Sequence, residues 1–314
     1  MLLNVFFIIA GIVLVLWGAE RLTDGSVALA ERMNVPQIVI GLTIVAMGTS
    51  MPEFCVSLVS ALKGTPDLAV GNVVGSNIFN AMLIVGVAAM VAPMAILKST
   101  VKKDIPFAIL ASTMLFVMCL DGDLSRLDAV LLIGVFGLFM FITLQGAKPD
   151  EAEVGEKKNY SVAKSLLLLL AGLAGLIVGS NIFVDGATKI AHTLGVSDAV
   201  IGLTIVAGGT SLPELATSVV SARKGQSGIA IGNVLGSNVF NILFILGITG
   251  VICPMHIQGI STVDLSMMMF SMFALWLFSF TKYTIARWEG VLLVAAFVAY
   301  ISYLVVQAVS GVPA

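Results

Sequence analysis

Residues 41–80 read GLTIVAMGTSMPEFCVSLVSALKGTPDLAVGNVVGSNIFN, and residues 202–241 read GLTIVAGGTSLPELATSVVSARKGQSGIAIGNVLGSNVFN. Aligned without a gap, at a constant offset of 161, they agree at 26 of 40 positions. Each copy places one acid, Glu53 or Glu214, inside a long apolar run. An ionisable residue in such a run is costly and marks a functional site by default. Each acid follows a proline, Pro52 or Pro213. Proline removes a backbone donor and frees the carbonyl four residues back, that of Gly48 or Gly209. Thr49 and Ser50 precede Glu53 by four and three residues, as Thr210 and Ser211 precede Glu214. Helical spacing therefore predicts two hydroxyls on the same face as the acid of their own copy. That face offers only oxygen, the ligand that hard cations such as calcium, and sodium by the same logic, require.

The second half of each copy adds a polar stripe. Asn72, Ser76 and Asn80 are spaced by four, as are Asn233, Ser237 and Asn241. Gly71 and Gly75, and Gly232 and Gly236, form GxxxG pairs that let membrane helices approach closely. Asn72, Asn77, Asn233 and Asn238 read as packing residues. A structural ion pair for Glu53 or Glu214 would need a cation, and no Lys or Arg lies in the middle of any apolar span. Unpaired buried carboxylates must then bind cations or take up protons.

The rest of the chain sets the class. Of its 314 residues 59% are hydrophobic and 11% charged, with a mean hydropathy of +1.08. A soluble domain carries about twice that charge. The net charge of −2 and the absence of a basic block give no support to nucleic-acid binding. Ten apolar spans are expected, at 2–19, 36–62, 68–97, 104–120, 127–146, 164–184, 197–222, 228–254, 262–281 and 288–308. Glycines and prolines predict breaks in the second and third of these and in their repeat partners. The first span lacks the basic start and cleavage site of a signal peptide and reads as a retained helix. The duplication runs further than the core motifs: Gly18, Asp24 and Gly25 match Gly179, Asp185 and Gly186, and Arg126 matches Arg287. A repeated unit of five spans must cross the membrane in opposite senses in its two copies, a signature of secondary transporters. The fold expected is an all-α polytopic membrane protein: ten transmembrane helices as two inverted five-helix repeats, 1–146 and 164–314. A solvated polar linker, 147–163, joins them. With both termini outside the cytoplasm, 13 of the 16 Lys and Arg residues fall on cytoplasmic connections and three outside, as the positive-inside rule requires.

Residues outside the repeats' polar faces read more plainly. Cys55, Cys119 and Cys253 lie in apolar runs and read as packing residues without a disulfide framework. His192 and His256 read as loop histidines. Asp121, Asp123, Asp128 and Asp264 lie near span ends and read as solvated or capping groups.

GTSMPE with GNVVGSNIFN, and GTSLPE with GNVLGSNVFN, resemble the two alpha-repeats of the sodium/calcium exchanger family, within the cation/calcium antiporters. The flanking spans fit that family's five-plus-five plan, so the resemblance covers the whole chain. It implies a prokaryotic-type antiporter in a bacterial or archaeal cell (inner) membrane. Its partners are the lipid bilayer and the transported calcium and sodium ions; no cofactor and no enzymatic activity are implied. The ion ligands it implies are Glu53, Glu214, Thr49, Ser50, Thr210, Ser211, Ser76, Ser237, Asn80 and Asn241, with carbonyls just before each Gly-Thr-Ser run, at Ala46 and Ala207. It also implies that the first and sixth helices slide across a fixed core. In the potassium-dependent branch, an acid supports K⁺ binding where this chain has Asn241. Proton/calcium exchange is the nearest alternative, since a proton could neutralise each carboxylate in place of sodium. A cation channel fits less well, because selectivity rings usually come from several subunits around an axis. The sequence leaves the oligomeric state open.

Overall fold

The computed structural model describes residues 2–145, 160–194 and 207–310. Helices dominate: α1 (Leu2–Met33), α2 (Gln37–Thr49), α3 (Met51–Leu62), α4 (Pro66–Val91), α5 (Thr100–Asp121), α6 (Arg126–Gln145), α7 (Val162–Thr193), α8 (Ala207–Thr210), α9 (Leu212–Arg223), α10 (Ser227–Ile252), α11 (Thr262–Ser279) and α12 (Arg287–Ser310). Eight of these are long and apolar enough to cross a membrane, and nine spans result if the bent pair α2–α3 counts as one. The span expected at 197–222 begins outside the described residues, as do most of the linker and both chain ends.

The centre of the fold is the pair α4 and α10. Their apolar windows are 72% and 78% buried, against 17–39% for the other six. Buried Val, Ile, Ala and Met from α4, α5, α10 and α11 form the main core around them. Leu127, Leu170 and Val306 point outward from the peripheral helices. Such faces suit lipid, which is as apolar as the side chains themselves.

The first helix of each half extends well past its apolar run. α1 and α7 are 32 residues each, where spans of 2–19 and 164–184 were expected. The polar second half of α1 stays helical because it packs on the core: Thr23 Oγ1 lies 3.0 Å from Ser221 Oγ, and Lys224 Nζ donates to Asp24 Oδ1 at 3.0 Å. α1 and α7 run antiparallel and meet through glycine. A Cβ on Gly11 would lie 2.7 Å from Phe183 N, and one on Gly18 2.7 Å from Leu176 N. From the other side, a Cβ on Gly172 would lie 2.5 Å from Leu22 N, and one on Gly179 2.8 Å from Val15 N. Only residues without a Cβ allow backbones this close.

The expected breaks are realised in two ways. The second span bends by 47° between α2 and α3. α3 and α9 each carry their proline in the first turn, where a missing N–H costs nothing. α4 and α10 do not break. Each accommodates the distortion as a π-helical turn, Phe79–Ile84 and Phe240–Ile245, a feature common at functional sites. Of the GxxxG pairs, Gly232 and Gly236 pack against α2, with Cβ positions 2.7 Å from Ile38 O and 2.5 Å from Leu42 O. Among the described residues, a Cβ on Gly71 would lie 3.3 Å from Ile260 Cδ1 and one on Gly75 would meet nothing within 4 Å.

Two small antiparallel ladders tie the halves together. β1 (Met94–Ala95) pairs with β4 (Thr284–Ile285), in register Met94↔Ile285. β2 (Asp123–Leu124) pairs with β3 (Met255–His256), in register Asp123↔His256. Exchanging the halves at the sequence offset carries one ladder onto the other.

Several minor expectations are corrected. Cys55 is exposed, so it faces outward from α3 and does not pack in the core; Cys119 and Cys253 are partly buried, and all three thiols are free. His192 lies in the last turn of α7, not in a loop. His256 pairs with Asp123, Nδ1 to Oδ1 at 2.6 Å. Asp128 and Asp264 act as caps: Ser125 N and Oγ donate to Asp128, and Ser261 with Asp264 forms a capping box on α11.

Candidate ion-binding site

The backbone break places the chemistry. Ser50 sits between α2 and α3 with φ −85° and ψ 9°, outside helical geometry, and Ser211 repeats this at −90° and 7°. The turn points each serine away from its own acid. Ser50 Oγ donates to Glu214 Oε1 at 2.9 Å, and Ser211 Oγ donates to Glu53 Oε1 at 3.0 Å. The threonines cross as well: Thr210 interacts with the Glu53 carboxyl and Thr49 with that of Glu214. The helical reading had put hydroxyls and acid of one copy on one face. That fails because Ser50 and Ser211 interrupt the helix between them.

The site is deeply enclosed. Glu53 and Glu214 are each 1% exposed, and no Lys or Arg hydrogen-bonds to either among the described residues. Ser76 joins the cluster, its Oγ 3.4 Å from Ser211 Oγ. One oxygen of each carboxylate is held by the opposite serine. The other, Glu53 Oε2 or Glu214 Oε2, has no hydrogen-bond partner. Asn80 Oδ1, Asn241 Oδ1 and Ser237 Oγ are likewise buried and without a partner. A buried oxygen left unpaired costs roughly 1–3 kcal/mol. Five such oxygens come from both halves, and oxygen is the ligand type that hard cations take.

Other assigned atoms are differently placed. The Ala46 carbonyl accepts from Ser50 N at 3.0 Å and lies 3.3 Å from Thr49 Oγ1, so it is engaged within its own turn. Ala207 opens α8. Thr49 Oγ1 lies 3.0 Å from Asn233 Oδ1 and 3.1 Å from the Val45 carbonyl.

The asparagines read from the sequence as packing residues hydrogen-bond beside the two acids and across the α4–α10 contact. Asn72 Nδ2 donates to the Glu53 carbonyl at 3.2 Å and to Ser57 Oγ at 2.9 Å. Asn233 does the same for the Glu214 carbonyl and Ser218 Oγ, at 3.2 and 3.0 Å. Asn77 and Asn238 bond reciprocally across the centre. The spacing of four that joins Asn72 to Ser76 and Asn80 was the available signal for the first pair. For Asn77 and Asn238 the signal was their position three residues before Asn80 and Asn241, one helical turn away.

Comparisons with known proteins bear on the family and the fold. The family described as "Sodium/calcium exchanger protein" matches residues 3–145 and 164–306. The chain is 31% identical over 343 residues to the sodium/calcium exchanger MaX1 of Methanosarcina acetivorans, covering 96% of this chain and 98% of that protein. It is 35% identical over 317 residues to the inner membrane protein YrbG of Escherichia coli, covering 97% of each. Among solved structures, the sodium-calcium exchanger NCX_Mj superposes with a TM-score of 0.86 at 35% identity, covering 96% of this chain and 99% of that one. Both halves carry the family's match and the whole chain carries its fold, so this multi-pass membrane protein belongs to the sodium/calcium exchanger family.

Proposed function

We propose that the protein is a secondary active antiporter that exchanges calcium for sodium by alternating access at the two-glutamate site. The observation that carries this reading is the pair of buried carboxylates, each with one oxygen unpaired. Their combined charge of −2 balances one Ca²⁺, or two Na⁺ with any further sodium held by neutral oxygens. Competition for one set of ligands suffices for exchange: a loaded, neutralised site can be carried through a low-dielectric core, and a bare dianion cannot. The ligands we assign are Glu53, Glu214, Thr49, Ser50, Thr210, Ser211, Ser76, Ser237, Asn80, Asn241 and the carbonyls of Ala46 and Ala207.

The architecture we assign is ten transmembrane helices in two inverted five-helix repeats, 1–146 and 164–314, with the linker 147–163 in the cytoplasm and both termini outside it. The antiparallel packing of α1 on α7 supports the inversion, because these are equivalent helices of the two halves. The reciprocal bonds of Ser50 with Glu214 and Ser211 with Glu53 support a two-fold relation through the site. In this scheme α1 and α7 move against the core of α3, α4, α9 and α10, exposing the site to each side in turn.

The test is calcium uptake into proteoliposomes with Na⁺, K⁺ and H⁺ gradients imposed one at a time. Uptake driven by an outward sodium gradient, and not by a pH gradient alone, is expected. Uptake that follows only the pH gradient would refute sodium as the counter-ion. Single-channel currents would refute antiport altogether.

A further inference from the structure

We propose that Asn77 and Asn238 are positioning residues that force the amide oxygens, rather than the amide nitrogens, of Asn241 and Asn80 toward the ion. This deepens the antiport reading and rests on it. An asparagine side chain offers an acceptor on one arm and two donors on the other. A cation site gains from the oxygen arm and is opposed by the N–H arm. Something must therefore decide which way each amide points.

The deciding group is a backbone carbonyl, which has no second arm to present. Asn77 Nδ2 donates to the Asn238 carbonyl at 3.2 Å. That bond fixes Asn77, so its Oδ1 is the arm left for the neighbouring helix. Asn77 Oδ1 accepts from Asn241 Nδ2 at 3.2 Å. With its nitrogen committed there, Asn241 has only Oδ1 to present on its other side, and this oxygen is buried without a partner. The same sequence of constraints runs the other way. Asn238 Nδ2 lies 3.3 Å from the Asn77 carbonyl and 3.3 Å from Met272 Sδ. Asn238 Oδ1 accepts from Asn80 Nδ2 at 3.1 Å, and Asn80 Oδ1 is again buried and unpaired. All four asparagines are 0–1% exposed, so water does not compete for these arms. Turning the Asn241 amide over would set its oxygen against Asn77 Oδ1, with no hydrogen between them.

The π-helical turns make this geometry reachable. Asn80 and Asn241 lie within them, and Asn77 and Asn238 lie in the α-helical turn just before. Each pair thus bonds across the α4–α10 contact rather than along its own helix. The oxygen of a site asparagine in one half is aimed by an asparagine of the other.

The experiment is a double-mutant cycle read by Ca²⁺ binding to the purified full-length protein, using titration calorimetry. Asn77→Leu removes the acceptor that holds Asn241 Nδ2. It should weaken Ca²⁺ binding about 10–100-fold, the usual cost of losing an outer-shell partner. In an Asn241→Asp background both terminal atoms are oxygens, so there is no N–H arm for Asn77 to hold away from the ion. There, adding Asn77→Leu removes only an oxygen that faces an oxygen and should weaken Ca²⁺ binding by no more than about twofold, the ordinary scatter of independent sites. An equal loss in both backgrounds would show that Asn77 acts only through packing and would overturn the proposal. So would native affinity in Asn77→Leu. If Asn77→Leu does not elute as a single species, Asn238→Leu with and without Asn80→Asp decides by the same criteria. Absence of Ca²⁺ binding by the native chain would instead refute the antiport reading, so the two failures are distinguishable.

Discussion

Glu53→Gln isolates the charge of the site from its shape. The substitution preserves size and leaves Ser211 Oγ an oxygen to donate to, as it now donates to Glu53 Oε1. It removes one negative charge where the side chain is 1% exposed, so solvent cannot replace it. Two unit charges about 4 Å apart at an effective dielectric of about 20 attract by ~4 kcal/mol, and a divalent ion doubles this to ~8 kcal/mol. An ion in the variant site retains more of its own hydration, which offsets part of the loss. Even half of that figure, ~4 kcal/mol, corresponds to a ~10³-fold loss of affinity. Glu214→Gln should behave alike, because Ser50 serves it as Ser211 serves Glu53. The assay is calcium titration of purified protein together with sodium-driven uptake of radioactive calcium into proteoliposomes. Calcium affinity within about tenfold of native, a difference of only ~1.4 kcal/mol, would refute the assignment of the carboxylates as ion ligands.

Transport should not require potassium, because Asn241 brings a neutral oxygen and no third negative charge to the site; flux that vanishes when K⁺ is replaced by choline, and returns with K⁺, would contradict this. A cysteine introduced at Asn159 should label from the cytoplasmic face only, and labelling from outside would reverse the assigned topology. The exposed His256 titrates above its ordinary value, chiefly through its hydrogen bond to Asp123, with the charges of Asp123 and Asp67 adding to the effect. Its charged form is the one favoured in the fold, so any stabilisation is fully present below the unfolded value near 6.5 and fades as pH rises through the folded one. Asp123→Asn should return the His256 titration, followed by NMR, toward about 6.5; an unchanged titration would contradict this account.

The repeat at offset 161 was legible from the residues, and with it the two acids, the hydroxyl-rich motifs and the membrane class. What was not legible is contact between positions more than a hundred residues apart. Helical periodicity reports only which residues share a face, so it placed Ser50 beside Glu53. The structure pairs Ser50 with Glu214, 164 residues away. Glycine and proline announced distortion without specifying its form: a 47° bend after Thr49, but π turns through Asn80 and Asn241. The lengths of α1 and α7 were underestimated for a related reason. Their polar second halves look like loops until Asp24 and Thr23 are seen against Lys224 and Ser221. The bonds of Asn77 and Asn238 were not legible because their partners lie on another helix.

The glycine-lined contact between α1 and α7 bears on how many independent gates the proposed antiporter would have. The two helices approach backbone to backbone at Gly11, Gly18, Gly172 and Gly179. In the proposed alternating-access scheme they would therefore move as one body, and opening a path at one face would close the path at the other. A covalent cross-link between α1 and α7 should leave exchange running. A cross-link from α1 to α9 near the Thr23–Ser221 contact should stop it, and continued transport there would mean that this body does not move. The Lys224–Asp24 bond ties α1 to the end of α9, so the proposed motion would have to release it.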